Sequence, residues 1–169
     1  MNGDLALLVL RVAVGVVVFA HGAMKLGWLG KGGSPSGTAG WFTSIGIRPG
    51  LFWAWVVILA EAGGGVLTIL GLGGPIGPGI VAGDLVVAII VAHLPKGFWA
   101  AQGGWEFIAP LAAGAFAIAL LGNGRWSVDG ALALSYPDQL VLGWLAIVAA
   151  GALLVLAIRA RFAPKPKPV

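Results

Sequence analysis

Residues 5–26 read LALLVLRVAVGVVVFAHGAMKL, an apolar run interrupted only by Arg11, His21 and Lys25. A helix needs about 20 mostly apolar residues to cross the hydrocarbon layer, so this stretch reads as a transmembrane helix. Its three basic side chains are the anomaly, because a charge near mid-bilayer costs at least about 2.5–3.5 kcal/mol. A removable leader has a basic start and a short apolar core. Here only Asp4 precedes a long core, so the run is expected to remain as a membrane helix.

Four further windows come after it: 51–72 (LFWAWVVILAEAGGGVLTILGL), 76–94 (IGPGIVAGDLVVAIIVAHL), 107–122 (FIAPLAAGAFAIALLG, the shortest) and 140–158 (LVLGWLAIVAAGALLVLAI). The connections between them are rich in Gly, Pro and Ser, and none is long enough for a soluble domain. The whole chain agrees: 59% of its 169 residues are hydrophobic, 9% are charged and its mean hydropathy is +1.00, too little polar surface for a domain in water. The expected fold is therefore all-α, a polytopic membrane helical bundle. The 29 glycines lack the G-X-Y period of collagen. Within spans, as at Ala60 with Gly64 and in the run Gly63 to Gly65, they suit close helix packing. The tail APKPKPV is expected to be extended and solvated.

The net charge of +4 does not point to nucleic acid, because Arg159, Arg161, Lys165 and Lys167 crowd the C-terminal end. Lys25, Lys31 and Arg48 flank or occupy the first connection and Lys96 the third, whereas the fourth has only Arg125. With five spans, these eight cations against one orient the chain with its N-terminus outside and its C-terminus in the cytoplasm. The absence of Cys removes disulfides, thiolate chemistry and Cys-held clusters.

Arg11, His21, Lys25, Glu61, Asp84 and His93 are the polar groups within or at the ends of spans, and each is a site candidate. At about 100° per residue, His21 and Lys25 lie about 80° and 40° from Arg11, and they stack on each other at i, i+4. Arg11 is about 15 Å further along the axis. Arg11 and Lys25 either snorkel to opposite interfaces or serve the interior. Glu61 either bonds across helices as a neutral carboxyl or pairs with His21, Lys25 or Arg11. Asp84 and His93, nine residues apart, fall about 180° from each other, which predicts that they do not share a target. Each also has a plain reading, Asp84 as a packing carboxylate beside Gly83 and His93 as a polar helix end. Both histidines lie on one side of the membrane, so a haem bridge is sterically open. Nothing beyond their number supports haem, and no metal-ligand cluster is evident.

The ordered set Arg11, Gly15, Phe19, His21, Gly22 and Lys25, then Trp41, Phe42, Ile45 and Gly46, then Glu61, Gly64, Leu70 and Gly71, resembles the DoxX family of small prokaryotic membrane proteins. The pattern continues with Ala88, His93, Gly97, Phe98, Gly104 and Glu106, and with Gly122, Gly124, Arg125, Trp126, Ser127 and Asp129, so that it covers roughly residues 8–130. The resemblance implies a four-helix bundle in the cell membrane. It also implies links to the membrane part of thiosulfate:quinone oxidoreductase and to oxidoreductase complexes that handle thiol or oxidative stress. It marks His21, Lys25, Glu61, His93, Glu106, Arg125 and Asp129 as the polar positions of interest. The chain departs from the family in its fifth span and in Asp84. It therefore divides into a DoxX-like four-helix core (1–130), a linker with one extra C-terminal transmembrane helix (131–160) and a basic tail (161–169).

No residue type present stores electrons, so a redox role requires a quinone, a haem or a partner protein in or on the bilayer. A quinone ring needs an apolar slot and donors at its carbonyls, roles open to His21, Lys25 and Glu61. Trp28, Trp41, Phe42, Trp53 and Trp55 cluster at the same end, as an interfacial belt or as part of that slot. Two other readings stay open: a non-catalytic anchor for soluble redox enzymes, and a small proton-coupled transporter or lipid-binding protein using Glu61 and Asp84. No inverted repeat supports the transporter. Homo-oligomerisation is also left open.

Overall fold

A computed structural model describes residues 2–163, without the side chain of Asn2. Most of the APKPKPV tail lies outside the described residues. Every regular element among them is helical: α1 (Asn2–Lys25), α2 (Pro35–Ser44), α3 (Gly50–Leu70), α4 (Ile76–Ala88), α5 (Ile108–Leu121), the single turn α6 (Val128–Ala131) and α7 (Asp138–Phe162). Beyond Ala88, α4 continues through a wide π turn, Ile89–His93, and a tight turn, Leu94–Lys96.

Four helices are long and apolar enough to span a bilayer: Gly3–Lys25, Gly50–Leu70, Ile76–Lys96 and Asp138–Phe162. The chain is a multi-pass membrane protein. The expected fourth span is shorter than the others. At 14 residues α5 is about 21 Å long, less than the ~30 Å hydrocarbon layer. Trp105, Glu106 and Phe107, in and beside the sequence window, belong instead to a folded connection.

The helices α1, α3, α4 and α5 close a ring in which each packs on its neighbours, and α7 lies outside against α4. Small residues set the spacing between α1 and α3. A Cβ built on Gly22 would sit 2.5 Å from the Ala62 nitrogen, and one on Gly65 would sit 2.8 Å from that of Phe19. Gly64 faces Val81 of α4, whereas Gly63 of the same run points into open space. The core between α1, α4 and α5 contains Val14, Val18, Val81, Leu85, Ala115 and Ile118. The connection after α1 is not merely a turn. Ser34 caps α2 by accepting from the Gly37 nitrogen, Pro35 starts the helix, and Phe42 is buried.

Candidate functional site

The close approach of α1 and α3 brings Lys25, in the last turn of α1, to Glu61 in the middle of α3. Lys25 Nζ donates to Glu61 Oε1 at 2.6 Å and to Oε2 at 2.5 Å. Only 20% of the lysine side chain and 9% of the glutamate side chain remain exposed. His21 is exposed one turn before Lys25 and within electrostatic reach of Glu61. Asp84 follows Gly77 and Val81 on the α4 face that packs on α3, where it feels both Glu61 and Lys25.

His93 joins the same region, contrary to the 180° expectation. The helix from Asp84 to His93 is not uniform, because residues 89–93 form a π turn. Such a turn adds one residue to the helix repeat. Nine steps then rotate like eight, which places His93 about 80° from Asp84. Its Nδ1 bonds the Gly103 carbonyl at 2.7 Å. A carbonyl only accepts, so Nδ1 donates. The connection 97–107 is fixed in turn by Glu106 Oε2, which accepts from the Ala100 nitrogen at 2.8 Å, and by Phe98 packed edge-on against Trp99 and Trp105.

These groups surround a cavity of about 490 Å³. Its inner part, within the ring of helices, touches Val18, His21, Lys25, Glu61, His93 and Leu111. Trp41 and Phe42 of α2 and Trp53 of α3 form an aromatic wall, with Trp41 also partly exposed, while Trp28 and Trp55 do not line the cavity. Its outer part passes Asp84 and reaches α7 at Val148, Gly151, Ala152 and Val155. The lining is thus mostly apolar with a few convergent polar groups, the usual composition of a small-molecule site. Among the described residues, no cluster of three or more His, Asp or Glu is placed to hold a metal ion.

The DoxX family model matches residues 6–94, more than half of the chain. The chain belongs to the DoxX family. It is also 33% identical over 126 residues, 75% of its own length and 86% of the relative's, to the Bacillus subtilis (strain 168) protein named "Putative oxidoreductase CatD". No solved structure matches it. The family match covers Arg11, His21, Lys25, Glu61, Asp84 and His93 but ends before α5 and α7.

The remaining polar candidates of this DoxX protein gather at the opposite end of the bundle. Arg11 does not snorkel: it is fully buried and donates to the carbonyls of Ile69 (3.1 Å) and Trp126 (2.5 Å). Asp129, 4% exposed, accepts from the Gly73 and Gly74 nitrogens, Asn123 Nδ2 and the Tyr136 hydroxyl. Arg125 presents its backbone nitrogen to Asp4 and is otherwise exposed. The structure therefore separates Arg11, Arg125 and Asp129 from the cavity. Sequence reasoning missed Asn123, a buried member of this knot, and the cavity-lining residues of α7, which carry no polar signal.

Burial of Asp129 works to raise its carboxyl, but the hydrogen bonds from Gly74, Asn123, Gly73 and Tyr136 outweigh it and hold the group below the ordinary value of 3.8. A depressed carboxyl stabilises the fold above its unfolded value, and that contribution is lost as pH falls through the folded one. Stability is expected to drop on acidification below pH 3.8. Asp129→Ala is expected to lose about 3 kcal/mol at neutral pH and to flatten that acid limb. Thermal unfolding in detergent across this pH range checks both; an unchanged acid limb in the variant would disprove the assignment.

Proposed function

We propose that this DoxX protein is the quinone-binding membrane subunit of an oxidoreductase complex. The observation that carries the reading is the cavity that joins the Lys25–Glu61 pair to an aromatic wall and then to α7 on the outside of α4. An apolar ring fits against Trp41, Phe42 and Trp53, while Lys25 Nζ and His21 offer donors to its carbonyl oxygens. A quinone supplies two-electron chemistry that consumes or releases protons, and the chain's part is to bind, orient and move those protons. Glu61, already hydrogen-bonded to Lys25 Nζ, can accept a proton at either Oε and return it, with Asp84 beside it as a second carboxyl group.

Electrons have to come from a partner, because the chain has no residue that stores them. Lys25, Lys31, Arg48 and Lys96 lie at the cavity's end of the bundle, and the basic C-terminus of α7 reaches Gly46 at that end. By the positive-inside rule this end faces the cytoplasm, where a soluble redox protein would dock. The CatD name supports an oxidoreductase setting. A scaffold reading has one observation in its favour: no residue of α7 is buried, which leaves that helix face free for another protein.

The test is quinone retention. Purified protein is expected to bind ubiquinone or menaquinone at about one per chain, and Lys25→Met to weaken binding about tenfold. If the wild type binds neither, the reading is wrong and the scaffold takes its place.

A further inference from the structure

We infer that the outer part of the cavity, walled by α7, is a slot for the polyisoprene tail of a lipid-soluble quinone, so that the substrate class is tailed quinones and not free small-ring compounds. The inference rests on the quinone reading above.

Size separates the two parts. The cavity measures about 490 Å³, roughly three times the ~150 Å³ hollow that accepts a benzene ring. A ring seated between Lys25 and Trp53 leaves most of that space unfilled. The excess has a direction. Val148, Gly151, Ala152 and Val155 are spaced i, i+3, i+4, i+7 and form one stripe of α7 facing the cavity. Val56 and Ala60 of α3 form the opposite side.

The joint holding α7 in place leaves this crevice open. Trp144 and Val148 seat against Gly79 and Gly83, and Trp144 Nε1 donates to the Ile76 carbonyl at 3.3 Å. The far end of α7 meets Gly46 through Phe162 and Ala163. Between these two attachments lies Gly151, where an added Cβ would meet nothing within 4 Å. A mostly apolar crevice between two attached ends, passing Asp84 and continuous with a polar chamber, matches a ligand with a polar ring and a long flexible hydrocarbon tail. The wall is supplied by a helix beyond the family match.

The experiment compares two probes, a quinone with a single isoprene unit and the same ring with a full-length tail, on the detergent-purified full chain. The wild type is expected to bind the long-tailed probe about tenfold or more tightly than the short one in matched micelles. Gly151→Phe is expected to erase that preference while leaving short-probe affinity within about twofold. Gly143→Phe is the control, since Gly143 is equally open but lines no part of the cavity; it is expected to bind like the wild type. Retained short-probe binding reports that Gly151→Phe is folded. No tail preference in the wild type, or one that survives Gly151→Phe, overturns the slot while leaving the ring site intact. Equal loss of both probes in Gly151→Phe, or the same loss in Gly143→Phe, overturns it as well. Failure of the wild type to bind either probe removes the quinone reading itself.

Discussion

Replacing Lys25 by Met is expected to destabilise the bundle by about 3–5 kcal/mol, whereas replacing Lys25 by Met and Glu61 by Gln together costs much less than the sum of the two changes. Both oxygens of Glu61 are committed to Lys25 Nζ, and Glu61 is 7% exposed in the middle of α3. Removing the ammonium leaves the carboxylate without its cation in a mostly apolar surround. The reverse change is milder. Lys25 stands in the last turn of α1 with a fifth of its side chain exposed, so that after Glu61→Gln its ammonium can swing to the headgroup layer. The order of loss is therefore Lys25→Met, then Glu61→Gln, with the double variant close to the milder single. Denaturant titrations in micelles, followed by helical circular dichroism, give the cycle. Additive losses would mean that the pair is a solvated contact with no energetic coupling.

The membrane bundle was legible because lipid imposes one strong rule, that a spanning segment be apolar and helical, and the windows around Arg11, Glu61, Asp84 and Leu145 obey it. Within the site, the relation of His21, Lys25 and Glu61 came from one helical face and one buried carboxylate. His93 was misplaced because periodicity assumes a uniform helix. Nothing in IIVAH advertises an i→i+5 turn, and one residue of slip reduced a separation of about 180° to about 80°. The helix α2 was not singled out within its Gly- and Ser-rich connection because PSGTAGWFTS is short, Gly-containing and weakly periodic, and tertiary burial of Phe42 helps to define it. The window 107–122 matches α5 (Ile108–Leu121) to within one residue at each end; what composition could not show is that Trp105 and Phe107 beside that helix lie in a folded connection. The α7 wall was invisible for a related reason: Val148, Gly151 and Ala152 serve by shape, and shape leaves no mark in a hydropathy pattern.

Arg11→Met is expected to lower stability by about 3–5 kcal/mol, an effect reserved for buried charged networks. The guanidinium is 0% exposed and acts as a cap. Its Nη1 donates to the Ile69 carbonyl in the last turn of α3, and its Nη2 donates to the Trp126 carbonyl in the connection before α6. The cation also sits at the negative end of the α3 dipole and feels Asp129. Gly71 makes room for it. With φ at +64° it ends α3 in the left-handed conformation, and a Cβ there would strike Arg11 Nη1. Gly71→Ala is thus expected to displace the same guanidinium and to reproduce much of the Arg11→Met loss. Lysine cannot replace it, since one ammonium lacks the fork that serves two carbonyls on different segments. Because Arg11 lies about 15 Å along α1 from His21, quinone affinity measured well below the melting temperature is expected to stay unchanged in Arg11→Met. Thermal unfolding paired with amide exchange across residues 122–131 separates the outcomes. A loosened connection with intact binding assigns Arg11 to architecture. Lost binding in a variant that melts like the wild type would instead return Arg11 to the site.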